Sequence, residues 1–297
     1  MRYVTVDNIT QRVLEVMTQT PDPRLREVTA ALVSHLHSFI RDIQPSDAEF
    51  EQACAFILGL GQASSEKKNE VILASDILGA STLITLLNDQ KHADTAPVDK
   101  TCSALLGPFW RADAPLLALG DSIARGQEVD VPGKTLYVSG TVRNTAGEPL
   151  AGATVDVWQA SPVGLYENQD DAQPDMNLRG RFQTDAQGRY HFRSVRPAGY
   201  PVPVDGPCGD LLRAQQRHPY RPAHVHFMVS QPGYQLLVTQ VFADDDERLH
   251  TDVTFSVVES LVGCFAQQGS GDSAHYTLGY DMVLQPGTLI FPTPPIP

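Results

Sequence analysis

The stretch Arg221-Pro-Ala-His224-Val-His226-Phe-Met-Val holds the residues of this sequence best suited to chemistry. Residues two apart on a strand share a face, so His224 and His226 would stand side by side while Val225, Phe227 and Val229 face a core. Such a pair can hold a metal ion, or it can be two structural histidines satisfied by hydrogen bonds. The neighbourhood weighs toward a metal: Arg221 stands three residues before the first histidine, and two tyrosines sit in Gly/Pro frames, Gly164-Leu-Tyr166 and Pro197-Ala-Gly-Tyr200-Pro-Val-Pro203. Other chemistry is missing. Gly59-Leu-Gly-Gln-Ala-Ser lacks the last glycine of a dinucleotide loop and follows a helical pattern instead of a strand. The run Asp244-Asp-Asp-Glu247 reads as a solvated turn, since no calcium-loop spacing accompanies it.

Helices and strands must position these groups, and the chain carries both periods. Apolar residues at Val28, Leu32, Leu36 and Phe39-Ile40 predict a helix over 26–43, stopped by Pro45. Ser46 with Glu49 three residues on predicts a capping box opening a helix through about Gly59, and residues 69–88 form a third apolar-rich helix. From about Val131 short apolar runs alternate in period two between turn signals at Asn144-Thr-Ala-Gly, Asp185-Ala-Gln-Gly and Gln231-Pro-Gly. The expected fold is mainly β: an antiparallel β-sandwich carrying the chemistry, behind an α-helical N-terminal region.

Composition narrows the partners. The 297 residues carry 22 Lys+Arg against 35 Asp+Glu, a formal charge of −13, which argues against nucleic acid or an anionic membrane surface. Four separated cysteines, Cys54, Cys102, Cys208 and Cys264, form no CxxC pair and read as buried, inert thiols in a reducing compartment. The opening residues show no secretory pattern and no apolar run reaches membrane-spanning length, so a cytoplasmic location is expected.

The β half resembles the intradiol ring-cleaving dioxygenases, non-haem Fe(III) enzymes that open catechols between their two hydroxyls. The matching segments are Gly140-Thr-Val through Val157-Trp-Gln-Ala160, Gly164-Leu-Tyr166, Asn177-Leu-Arg-Gly-Arg, Thr184-Asp-Ala-Gln-Gly-Arg-Tyr190, Pro197-Ala-Gly-Tyr200 and Arg221-Pro-Ala-His-Val-His226, in the family's order. The resemblance implies one Fe(III) per subunit, with Tyr166 and His224 as equatorial ligands and Tyr200 and His226 as axial ones. Phenolate is a hard anionic oxygen donor, which suits the ferric ion. The diol would bind as a dianion, Tyr200 would take one of its protons, Arg221 would stabilise charge developing on the ring, and Gln240 would line the pocket. The helical part is similar to the family's dimerisation region, dividing the chain into residues 1–105 and a catalytic domain of residues 106–297. It implies a homodimer through the N-terminal helices, with a phospholipid held between them in some relatives.

Within the family, the segments around Asn177, Tyr200 and Arg217 are more similar to the hydroxyquinol 1,2-dioxygenase subgroup, which converts 1,2,4-trihydroxybenzene to maleylacetate. Leu73, Asp76, Leu105, Leu106, Gly107, Pro108, Phe109, Val202 and Pro203 then fall where that subgroup lines its pocket. Asp76 is either an acceptor for the third hydroxyl or a carboxylate on a helix surface. Catechol or chlorocatechol, giving muconate or chloromuconate, is the alternative substrate. Two other classes compete: a non-catalytic β-sandwich binding module, and a zinc hydrolase using His224, His226 and a carboxylate such as Asp205.

Overall fold

The computed structural model describes residues 3–65, 68–93, 100–126 and 133–296, so the start of the period-two pattern near Val131 lies outside the described residues. The chain forms two compact units, Met1–Leu58 and Gly59–Pro297. In the first, α1 (Ile9–Met17) packs on α2 (Pro23–Ile43), joined by Thr10 Oγ1 to His37 Nδ1 at 2.9 Å and by Arg41 donating to the Val6 carbonyl at 2.6 Å. Asp22 caps α2 by accepting from the Arg24 and Leu25 amides, and Pro23 occupies the first turn. The helix ends where Gln44 turns left-handed before Pro45. The expected capping box is present: the Ser46 amide donates to Glu49 Oε2 at 2.8 Å and the Glu49 amide to Ser46 Oγ at 3.4 Å. The helix it opens, α3 (Asp47–Ala63), runs four residues past the expected Gly59 end.

One expected helix is two. Residues 69–88 divide into α4 (Glu70–Ile77) and α5 (Ala80–Ala93), bent by 70°. Gly79 sits at the bend with a left-handed φ of +72°, and a Cβ there would come within 3.4 Å of the Phe255 ring. Among the described residues no single helix is long and apolar enough to cross a membrane.

The second unit is a β-sandwich. In chain order its strands are β1 (Thr135–Asn144), β2 (Thr154–Gln159), β3 (Arg179–Gln183), β4 (Arg189–Val195), β5 (Tyr200–Pro201), β6 (Tyr220–Arg221), β7 (His224–Ser230), β8 (Leu237–Ala243), β9 (Val262–Gly263), β10 (Ala266–Gln268), β11 (His275–Gly279) and β12 (Met282–Leu284); helix α6 (Pro207–Ala214) lies between β5 and β6. One sheet has the order β10-β11-β1-β12 with β4 also on β1, the other β3-β2-β7-β8-β9, and β5 and β6 form a separate ribbon. The sheets are mixed, not strictly antiparallel as expected: β1 pairs β11 and β12 in parallel, and β8 pairs β9 in parallel. Parallel neighbours need long crossover connections, which turn chemistry read locally does not reveal.

Inner-face residues of both sheets make the core. Phe182 of β3 stacks on Phe192 of β4 at 5.1 Å, and Val155, Val157, Val225, Phe227 and Val229 are buried around them. The cysteines are all free, but only Cys208 is buried, while Cys54 and Cys264 are exposed, so the expectation of four buried thiols is corrected. Burial pushes the Cys208 thiol up to about 12, which keeps it protonated and inert.

Gly140 marks the point where β1 passes from β11 to β12: a Cβ there would lie 1.9 Å from the Tyr280 carbonyl oxygen. Gly140→Ala is therefore expected to destabilise the protein by about 3 kcal/mol, the upper range for overpacking, measured by denaturant unfolding.

Candidate metal centre

Register builds the site. β7 is the middle strand of its sheet, flanked by β2 and β8, and Val225, Phe227 and Val229 fill the core. His224 and His226 consequently project from the opposite face, as their spacing predicts. Cross-strand pairing lines up Arg179, Trp158, His226 and Gln240 across β3, β2, β7 and β8. Trp158 stacks on the His226 ring at 4.7 Å and 13°, fixing its plane.

The tyrosines come from loops that local backbone chemistry shapes. Tyr166 follows Gly164, whose φ of +82° needs glycine and whose Cβ would meet the Tyr200 side chain at 3.0 Å. The Tyr166 amide donates to Gln169 Oε1 at 3.0 Å, and Phe109 stacks on its ring at 4.7 Å. Tyr200 lies on the short ribbon, directly paired with Arg221. A Cβ on Gly199 would lie 2.9 Å from the Arg221 carbonyl, so glycine permits that close pairing.

These elements bring four buried donors together. Tyr166 Oη lies 3.3 Å from Tyr200 Oη, and His224 Nε2 lies 3.1 Å from His226 Nε2. His224 Nδ1 lies 2.7 Å from the Pro222 carbonyl, which sets that nitrogen as the N–H and leaves Nε2 as a lone pair. Among the described residues, His226 Nδ1 is buried without a hydrogen-bond partner. If it carries the proton, the His226 Nε2 lone pair faces that of His224, which the Arg221 guanidinium also approaches at 3.2 Å, and has no donor of its own from His224; if it does not, a bare buried nitrogen remains. A cation between the donors resolves the first arrangement, and the residues present therefore fit a metal. Burial, followed for Tyr166 by Tyr200 and for His226 by His224, raises the Tyr166 phenol and lowers His226, so these two are neutral when bare. Among the described residues no group of three or more His, Cys, Asp and Glu is placed to hold a metal; the groups beside the histidine pair are the Tyr166 and Tyr200 phenols. Asp205 is exposed and bonds Lys68 at 2.7 Å. The run at Asp244–Glu247 is a turn, as expected, with Asp246 accepting from the Ala223 amide at 2.8 Å.

Arg221 is buried beside the donors. Its Nη1 lies 3.2 Å from His224 Nε2, its Nη2 donates to Gln240 Oε1 at 2.9 Å, and Gln240 Nε2 donates to the Leu105 carbonyl at 2.6 Å. From Leu105 the chain crosses the sheet face: Gly107 lies against the His226 ring, Leu106 packs on the aromatic cluster, and Trp110 Nε1 donates to Asp156 Oδ2 at 3.1 Å. Pro108 is half-buried within this segment. Leu73 and Asp76 are both buried on α4, so Asp76 is not a surface carboxylate. Burial raises Asp76 to about 6, against the opposing influence of Ser81 and Arg221. Val202 is buried and Pro203 half-buried beyond β5, and Glu70 ties this side to α4 by accepting from the Cys208 amide of α6 at 3.0 Å.

Two buried ion pairs support the site. Arg179 pairs with Glu167 through bonds of 2.8 Å behind Tyr166, and Asp252 grips Arg221. Arg179 stands in a motif that sequence analysis singles out; Asp252 lies 31 residues from its partner, and no local signal marks it.

Residues 106–286 match the family described as Dioxygenase, and residues 22–96 match the Catechol dioxygenase N terminus. A hydroxyquinol 1,2-dioxygenase of Rhizobium sp. (strain MTP-10005) is 42% identical over 264 residues, 89% of this chain and 86% of that protein. A 6-chlorohydroxyquinol 1,2-dioxygenase of Cupriavidus pinatubonensis is 39% identical, covering 94% of this chain and 97% of its own. Among solved structures, hydroxyquinol 1,2-dioxygenase from Pseudomonas putida DLL-E4 superposes with a TM-score of 0.84 at 32% identity, covering 95% of this chain and 99% of that one. The chain belongs to the intradiol ring-cleavage dioxygenase family.

Asp156 anchors the crossing segment, and burial raises it to about 6 from 3.8 against the pull of its Trp110 bond. A raised carboxyl pKa favours the protonated native state, so this stability is present below pH 3.8 and lost as pH rises through about 6. Asp156→Asn is expected to gain up to about 3 kcal/mol over the wild type at pH 8 and nothing below about pH 4, read from unfolding midpoints across pH.

Proposed function

We propose that this chain cleaves an aromatic 1,2-diol with O2 at one Fe(III) per subunit, held by Tyr166, Tyr200, His224 and His226, and that its substrate is hydroxyquinol, opened to maleylacetate. The observation that carries this reading is the meeting of two phenol oxygens and two imidazole nitrogens in one buried place, each pair within 3.3 Å. Tyr166, Tyr200, His224 and His226 would hold the ferric ion, which would supply Lewis-acid activation of the diol toward O2. The chain's own groups do the rest. Tyr200, as the phenolate that would hold the ion, is the base that takes a diol proton and becomes a phenol; its Oη lies 3.3 Å from Tyr166 Oη, on a ribbon that also fixes Arg221. Arg221 keeps its charge in the buried pocket and stabilises negative charge developing on the ring. Gln240 and the Leu105 carbonyl, bonded to each other, form one wall; Gly107 leaves room beside His226, and Phe109 closes the Tyr166 side.

The choice of hydroxyquinol rests on Asp76 and on the names of the relatives above. Asp76 is a buried acceptor within the electrostatic reach of Arg221 and suits a third ring hydroxyl, which needs a partner once removed from water. Leu73, Leu106, Pro108, Val202 and Pro203 supply apolar boundaries for the ring. The N-terminal helices mediate a homodimer in this reading, supported by the exposed apolar stripe Val28, Leu32, Leu36, Phe39 and Ile40. An apolar cleft of about 590 Å³ lined by Val6, Ile9, Ile40 and Arg41 has the chemistry for a phospholipid chain beside its headgroup.

Oxygen uptake with hydroxyquinol, catechol and 4-chlorocatechol tests the reading: hydroxyquinol is expected to give the highest kcat/KM, and a preference for catechol contradicts the substrate assignment. Asp76→Ala is expected to lower kcat/KM for hydroxyquinol by roughly tenfold to a hundredfold, the loss of a bond to a charged group, and to leave catechol within about twofold. Tyr200→Phe is expected to slow turnover by about a hundredfold or more with iron retained; unchanged turnover removes Tyr200 from the reaction.

A further inference from the structure

The loop Asp252-Val-Thr-Phe-Ser256 takes no part in the chemistry above, yet it is bound unusually tightly around one carboxylate. Asp252 receives Arg221 Nε at 3.2 Å and Nη2 at 3.3 Å, the Thr254 and Ser256 amides at 3.3 and 3.1 Å, and their hydroxyls at 2.9 and 2.6 Å. Ser256 Oγ also accepts from Arg221 Nη2. The loop is itself held from outside. Thr82 Oγ1 donates to the Thr254 carbonyl and Arg217 Nη2 to the Val253 carbonyl, each at 2.9 Å, while the Val253 amide donates to the Tyr220 carbonyl at 3.2 Å. Phe255 is left-handed at φ 57° although exposed, with the Arg217 guanidinium 5.0 Å over its ring. A bulky residue holds that backbone only where its surroundings enforce it.

The consequence falls on Arg221. Asp252, Ser256 and Gln240 occupy Nε and Nη2, and Nη1 is the arm left facing His224. We propose that Asp252, presented by the 252–256 loop, is a positioning residue that clamps Arg221 in the orientation in which Nη1 serves the reacting ring. The proposal rests on the role given to Arg221 above. The clamp spends the rotamer entropy of a long side chain during folding, so none is lost when the substrate arrives. The carboxylate also compensates the buried guanidinium: burial would lower Arg221 and raise Asp252, but each holds the other charged.

A double-mutant cycle on the iron-loaded protein separates positioning from mere support of the fold. Oxygen uptake with hydroxyquinol is measured for Asp252→Asn, Arg221→Gln and the double variant, beside iron content and the visible absorption of the resting protein. Asp252→Asn is expected to lower kcat by about tenfold or more with KM within about twofold and iron and visible band unchanged, and to have less than about a twofold effect in the Arg221→Gln background. An equal loss in both backgrounds, or no loss in kcat, overturns the clamp. If Asp252→Asn does not fold, Ser256→Ala carries the same cycle: a loss of about threefold that vanishes in the Arg221→Gln background supports the clamp, and one that persists there or is absent from the start overturns it. A wild-type rate in Arg221→Gln itself overturns the role of Arg221 and the clamp with it, whereas additive losses overturn the clamp alone.

Discussion

Two imidazoles on alternate residues of a central strand are the constraint from which the rest of this site follows. β7 is paired on both sides, so its register cannot slip without exchanging Phe227 and the valines with the histidines. The core therefore fixes the donors: the apolar residues that hold the two sheets together force His224 and His226 outward, within 3.1 Å of each other. The tyrosines then need only reach that point, one from just beyond the left-handed Gly164 and one from a ribbon position paired with Arg221.

Burial is what makes this arrangement demanding. The formal charge of −13 lies on a molecule whose proposed substrate is an anion, so attraction must come from the few positive groups inside. Arg221 and Arg179 are both buried, and each is paired with a buried carboxylate, Asp252 and Glu167. Breaking either pair would leave a lone charge in a poorly solvated interior, at a cost of about 3–5 kcal/mol. Among the described residues no third His, Cys, Asp or Glu joins the histidine pair, and the groups beside it are phenols, hard oxygen donors of the kind that suit a ferric ion.

Much of this was legible in the sequence because it is local. The His-x-His face, the Ser46–Glu49 box, the turns at Asn144 and Asp185 and the Gly164 and Gly199 frames all depend on neighbours within a few residues. What was not legible depends on distant pairing. The parallel neighbours of β1, the bend at Gly79 set against Phe255, and the grip of Asp252 on Arg221 arise only once separate segments meet. Asp76 illustrates the boundary: its sequence allowed a surface or a pocket, and only the packing of α4 buries it.

In the proposed site two phenolates and two imidazoles of this chain share one ferric ion. The visible spectrum of protein loaded with one Fe(III) per subunit tests it most directly, because phenolate-to-iron charge transfer gives a broad visible band and a red-brown colour. That band is expected, with its alteration in Tyr200→Phe and its absence when zinc is loaded instead. Protein that binds a full equivalent of Fe(III) and stays colourless would contradict it.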